Sequence, residues 1–223
     1  MRKVEVEDMT EGGSIVKVLV FGAAGKSGRA VVEQALVAGH EVSAFVHKTD
    51  GYRAGSTVRV FGGDARDRSA MDLAMVGQDA VIDTIGNENP LKATTLESSA
   101  AATITASMQS SGARRLVVIS MIGEGESIAN TNWWERLFLS TLLRHEMKDK
   151  AAMEAIVDTS GLDWTIVRPP FLNDDPAKGH FHVFSAESGE TAHKLTRGDL
   201  AAFIVAQLTS NEYLQKAIAV ANN

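Results

Sequence analysis

The sequence predicts an α/β domain, built as one doubly wound parallel sheet with helices on both of its faces. Three observations carry this expectation. Short β-branched and apolar runs alternate with longer stretches of helical periodicity. The strand runs are nearly continuous in apolar residues, as strands buried on both faces require. No Pro/Gly-rich linker divides the 223 residues, which suffice for one sizeable core and are too few for two ordinary domains. Right-handed crossovers between parallel strands then give the doubly wound arrangement.

The first strand is Lys17–Phe21, and the helix Lys26 to Ala38 follows with a stripe of Val31, Val32, Ala35 and Leu36. Gly39 stands where a helix C-cap belongs. Strands are expected at Glu41 to Val46 and Val58 to Phe61, then a helix at Ser69 to Val76 ending on Gly77. Ala80 to Ile85 reads as the fourth strand. Thr95 to Ser111 reads as a helix with Leu96, Ala100, Ile104 and Met108 four apart, closed by Gly112. Leu116 to Ser120 and Trp164 to Val167 are the fifth and sixth strands. A long helical region fills 131 to 159, Leu200 to Leu208 is the last helix, and Ala217 to Val220 is a final strand. The domain is expected over residues 15–223. Residues 1–14, ending in Gly12-Gly13-Ser14, read as a flexible N-terminal extension without the apolar stretch of a signal peptide.

Composition narrows the function classes. There is no cysteine, so disulfides, thiolate zinc sites and a cysteine nucleophile are excluded. That absence suits a reducing cytoplasm, which is the expected location. The formal net charge is −6 and no stretch gathers a basic cluster, which argues against nucleic acid as a partner. No apolar run approaches the roughly 18 residues of a membrane span, so no membrane partner is expected. A small molecule remains as the partner, and a monomer satisfies the sequence.

That small molecule is indicated by Gly22-Ala23-Ala24-Gly25-Lys26-Ser27-Gly28, a GxxGxxG loop between the first strand and the first helix. Glycines serve three ends there: a tight turn, close approach of backbone to a pyrophosphate, and close packing of helix on strand. The helix N-terminus adds free N–H groups and a partial positive charge. The pattern is that of a Rossmann-type dinucleotide site. Gly25-Lys26-Ser27 also matches the end of a Walker A loop, but that motif needs glycine at position 20, which is Val20. An acid about 20 positions beyond the glycines would select NAD. His47 stands nineteen residues after Gly28 and Lys48 follows. Both can pair with a ribose phosphate, helped by Lys26, Arg29 or Arg53, so NADP(H) is expected ahead of NAD(H).

With GGDARD, AVIDTIG, RRLVVIS and SGLDWTIVRPP, the chain from about residue 16 to 222 resembles the NAD(P)H-binding branch of the atypical short-chain dehydrogenase/reductases. Relatives there include the biliverdin-IXβ/flavin reductases and the NmrA-like proteins. The resemblance implies that Asp64 and Ala65 flank an adenine and that Ile85, Gly86 and Asn87 border the ribose and pyrophosphate. It implies Ser120 beside the nicotinamide and Pro169, Pro170 and Phe171 over its carboxamide side.

Typical members use a Tyr-x-x-x-Lys pair for proton transfer. This chain has only Tyr52 and Tyr213, neither followed four residues later by lysine. Glu146 stands where the tyrosine would, and Lys150 keeps the lysine position as a candidate ribose ligand; such a pair is also a common surface pair of a helix. Ser120 and Lys150 are the catalytic candidates, Ser120 as an orienter of the acceptor. Trp133, Trp134, Phe138 and Phe171 could form an aromatic wall for a planar flavin, quinone or tetrapyrrole-like acceptor. Met121, Trp133 and Phe171 are its expected contacts. His145-Glu146 lacks the second histidine of a metalloprotease helix, His180, His182 and His193 are scattered, and no metal is expected. The expected function is an NADPH-dependent reductase, with an NADP(H)-responsive regulator of the NmrA-like type as the alternative.

Overall fold

The computed structural model describes residues 2–5, 14–87, 89, 92–123, 125–184 and 191–222. In chain order the strands are β1 (Arg2–Glu5), β2 (Lys17–Phe21), β3 (Glu41–Val46), β4 (Arg59–Gly62), β5 (Ala80–Asp83) and β6 (Arg115–Ile119), then β7 (Asp163–Arg168), β8 (Phe171–Asn173), β9 (His180–Phe184), β10 (Lys194–Thr196) and β11 (Lys216–Ala221). The helices are α1 (Lys26–Val37), α2 (Arg68–Met75), α3 (Leu96–Ser111), α4 (Trp133–Thr141), α5 (Arg144–Asp158) and α6 (Arg197–Ala206). A 3-10 turn over Gly125–Asn130 precedes α4.

Among the described residues, nine strands form one sheet in the order β1-β9-β11-β7-β6-β5-β2-β3-β4. From β4 to β11 every pairing is parallel. The strand order reverses between β2 and β5, so a crevice opens there at the strand C-termini. β9 and β1 close the far edge by antiparallel pairing.

Alternation along β2 shows how two cores arise. Val18 and Val20 pack with Val31, Val32 and Ala35 of α1 and with Phe203 and Ile204 of α6. Leu19 and Phe21 face the other way, among Met71 and Met75 of α2, Ile104 and Met108 of α3, and Met153 and Val157 of α5. With period two across a strand, a sheet covered on both sides needs apolar residues at every position, and β2 is fully buried from Val18 to Phe21. Gly39 and Gly112, both at positive φ, end α1 and α3. Among the described residues, no helix is long and apolar enough to cross a membrane.

Besides the short strands β8 and β10, which were not expected, the structure departs from the sequence expectation in three places. Residues 2–5, expected within a flexible extension, form an edge strand whose backbone pairs with β9 from Arg2↔Val183 to Glu5↔His180; residues 6–13 lie outside the described residues. The segment around His180 and His182, where no strand was expected, is strand β9, with Phe181 and Phe184 buried. The helical region 131–159 is broken at Leu142–Leu143. The buried Leu143 becomes the N-cap of α5, which packs its Met153 and Val157 into the core while α4 keeps large apolar residues exposed.

Candidate functional site

The glycine loop divides its three tasks among three glycines. Gly22 has φ 71°, and a Cβ there would stand 2.8 Å from Thr84 backbone and hydroxyl atoms. Thr84 is fixed by donating from its amide (3.1 Å) and its Oγ1 (2.8 Å) to Phe21 O. A Cβ on Gly28 would lie 2.2 Å from Gly22 O, so glycine alone lets α1 close on the loop. Gly25 differs. Its added Cβ would meet only Gly22 O, at 3.3 Å, with open space beyond. Gly25 is also the N-cap of α1, with no side-chain cap and no acid in the first turn. The amides and positive end of the helix dipole are thus left without a carboxylate of their own helix.

Ala24 and Lys26 are exposed beside this turn and Ser27 is half-buried. Lys26 Nζ reaches Asp174 Oδ2 at 2.7 Å, and Arg197 pairs with the same carboxylate. The turn is thereby linked to the segment after β8. His47 and Lys48 follow β3 on the same edge and are both exposed. Asp64, after β4, accepts from the Arg66 amide at 2.9 Å and from its guanidinium at 2.8 and 2.5 Å. These bonds hold its carboxyl well below the usual carboxylate range, with a smaller contribution from the charge of His47. Arg66 was not singled out from sequence, yet it adds a guanidinium to this edge. Arg29 stacks over the ring of Tyr52 at 5.0 Å. Ala65 is half-buried next to Asp64.

Beyond β5, the Ile85 amide donates to Asp83 Oδ1 at 2.9 Å. Gly86 is exposed, with nothing within 4 Å of an added Cβ. Asn87 shapes its own loop, donating to Asn89 O at 2.7 Å and accepting from the Asn89 amide at 3.0 Å. Ser120, past the end of β6, is 3% exposed and its Oγ has no hydrogen-bond partner among the described residues. Its amide is anchored to Val167 O at 2.8 Å. Next to it lies an apolar pocket lined by Met121, Ile122, Thr131, Pro169, Pro170 and Phe171, with Ala192 at its side. Pro169 and Pro170 are buried and Phe171 is 54% exposed. Ile122, Thr131 and Ala192 had no motif to announce them.

The expected residues at 22–28, 47–48, 64–65, 85–87, 120–121 and 169–171 therefore collect along the C-terminal edge of the sheet. Two expected residues stand apart. Trp133 is 63% exposed, stacks on Trp134 at 3.6 Å between centroids, and does not line the pocket. Lys150 is buried, and its Nζ contacts Glu97 Oε2 at 2.6 Å. That pair belongs to a cluster unforeseen from sequence. Asp149 accepts from the amides of Glu97 (3.0 Å) and Ser98 (3.1 Å), capping α3 from another helix. Asp83, at the end of β5, is pushed up to about 7 by burial, with the charge of Glu97 adding to the rise. Burial also raises Glu97 and the half-buried Glu146. The one available signal was an acid ending the apolar run Ala80-Val81-Ile82-Asp83.

These features fit a dinucleotide on the ground of the structure itself: space above the Gly25 amide, an uncapped helix N-terminus, and a buried hydroxyl lacking a partner. Solved structures of similar fold include ChuY, an anaerobillin reductase from Escherichia coli O157:H7, with 25% identity over 92% of this chain and 96% of that one, at TM-score 0.73. A short-chain dehydrogenase/reductase from Veillonella parvula in complex with NADP shares 16% identity over 94% and 95% of the two chains, at TM-score 0.81. The oxidoreductase ylbE from Lactococcus lactis shares 19% over 93% and 91%, at TM-score 0.77. At such identities the last two likenesses concern the fold. The family model described as NAD(P)H-binding matches residues 22–211, from the first glycine of the loop to beyond α6, and the chain belongs to this NAD(P)H-binding family.

Proposed function

We propose that the protein is an NADPH-dependent reductase of a planar acceptor of the flavin, quinone or tetrapyrrole class. One observation carries the reading: an apolar pocket at the strand C-termini is lined by Met121, the residue after Ser120, whose buried hydroxyl has no partner among the described residues. The reductase name of ChuY points the same way. NADPH, when bound, supplies a hydride. In this reading Gly22 to Gly28 and the start of α1 hold its pyrophosphate, Ile85 to Asn87 border it, and Ser120 orients the nicotinamide end or the acceptor. His47 and Lys48, with Arg66 close by, favour NADPH over NADH, since no acid ends β3.

The pocket side chains orient the acceptor and exclude water. Among the described lining residues Met121, Ile122, Thr131, Pro169, Pro170, Phe171 and Ala192 none titrates, and in this reading solvent supplies the second proton of the reduced acceptor. Lys150 is a positioning residue here, paired with buried Glu97 within electrostatic reach of Asp83. Catalysis then rests on proximity and orientation, and a dedicated acid is unnecessary.

The test is a titration with NADPH followed by addition of FMN, menadione or biliverdin while the near-ultraviolet absorbance of NADPH is read. Oxidation of NADPH by at least one acceptor is expected. Tight binding without oxidation of any acceptor would overturn the reductase reading in favour of an NADP(H)-responsive regulator. Equal affinity for NADH would overturn the roles given to His47 and Lys48.

A further inference from the structure

Helix α4 turns an unusual surface outward. Trp133, Trp134, Leu137 and Phe138 are 63%, 64%, 51% and 39% exposed, and Leu142 just beyond is 49% exposed. Their spacing covers one half of the helix circumference. Scattered apolar residues on a surface are ordinary, whereas a contiguous set beside a pocket marks a binding surface.

This face is continuous with the pocket beside Ser120. Phe171 lines the pocket, and its ring lies 6.2 Å from that of Phe138 on α4. At the other side Thr131 lines the pocket two residues before α4 begins. An apolar path thus leaves the pocket past Phe171 and runs along α4. Nine residues at the helical rise make it about 13 Å long, the scale of a prenyl or alkyl chain and longer than a head group needs.

On the reductase reading, we propose that the acceptor is a quinone with an apolar tail. Its head sits at the mouth of the pocket against Met121, Pro170 and Phe171, and its tail lies along the apolar face of Trp134 and Leu137 on α4 and of Leu142 just beyond. The quinone head gains two electrons and one proton as the hydride of NADPH and a second proton from water. The products are the quinol and NADP+. The tail takes no part in the redox step. It contributes binding through apolar area, and covering about 60 Å² is enough for about a tenfold gain.

The experiment compares menadione with naphthoquinones that share its head and carry one or two prenyl units. The wild type should show about tenfold higher kcat/KM for the prenylated compounds, expressed chiefly in KM. Leu137→Ser/Leu142→Ser, both at exposed positions, should abolish that preference and leave turnover of menadione unchanged, with a melting curve as the check on folding. Equal efficiency with and without a tail in the wild type would overturn the inference and leave the reductase reading standing. A preference retained in the variant would overturn α4 as the tail site. Failure to reduce any quinone, menadione included, would overturn the quinone acceptor itself. Sedimentation of the wild type as a dimer and of the variant as a monomer would assign the face to a second copy and overturn the proposal.

Discussion

Replacing Asp83 by asparagine should stabilise the protein at neutral and alkaline pH and leave it unchanged in mild acid. The side chain is 3% exposed at the end of β5, and its carboxyl is pushed from 3.8 to about 7 by burial and then by the charge of Glu97. In the unfolded chain it returns to the ordinary value. Between about pH 4 and pH 7 the folded protein therefore holds a proton that the unfolded chain has released. With the folded value raised, stability is fully present below the unfolded value and is lost as pH rises through the folded one. At about 1.4 kcal/mol per pH unit the full loss is roughly 4 kcal/mol. The opposing charge of Lys150 is already contained in the value of about 7, so up to roughly 4 kcal/mol is expected at pH 8. The carboxamide oxygen introduced by Asp83→Asn can still accept from the Ile85 amide. Urea unfolding of both proteins at several values between about pH 4 and pH 8 measures the difference. The curves should meet near pH 4 and part as pH rises, and in a parallel thermal melt at pH 8 the variant should unfold up to roughly 8–16 °C higher. A pH-independent difference, or a variant less stable than the wild type at pH 8, would refute the reasoning.

The glycine loop and a second buried pair give further expectations. Gly25→Ala should cost only about 1 kcal/mol of stability as an N-cap change, yet weaken NADPH binding more than about tenfold by filling the space above the amides. Gly28→Ala, facing Gly22 O at 2.2 Å, should lower both stability and affinity, and paired melts and binding titrations separate the two effects. Arg168→Met leaves buried Glu154 without its guanidinium, which bonds it at 3.1 and 2.5 Å. Thermal denaturation should show a loss of roughly 3–5 kcal/mol, and adding Glu154→Leu should restore most of it.

The sequence announced what depends on local pattern. Lys17 to Phe21 could only be a strand buried on both faces, and the glycines at 22, 25 and 28 had one arrangement that used all three. Gly39 and Gly112 marked helix ends because positive φ is cheap for glycine alone. What stayed illegible depends on partners distant in the chain. β9 was absent from the expected strands because its strand character comes from pairing with β11 and with residues 2–5. The break at Leu142–Leu143 carries no glycine or proline, since burial of Leu143 fixes it. Lys150 stood at a motif position, but the decisive contact is Glu97, fifty-three residues earlier.

The cap that Asp149 places on α3 ties two distant stretches of chain into one cooperative unit. Thr95, at the N-cap position itself, makes no side-chain cap, so the amides of Glu97 and Ser98 are satisfied only while α5 is docked. The first turn of α3 thus gains its full stability after some fifty intervening residues have folded. Opening of α5 frees the start of α3 and exposes Glu97 and Lys150 together. Helices that stand apart in the sequence are in this sense a single folding event.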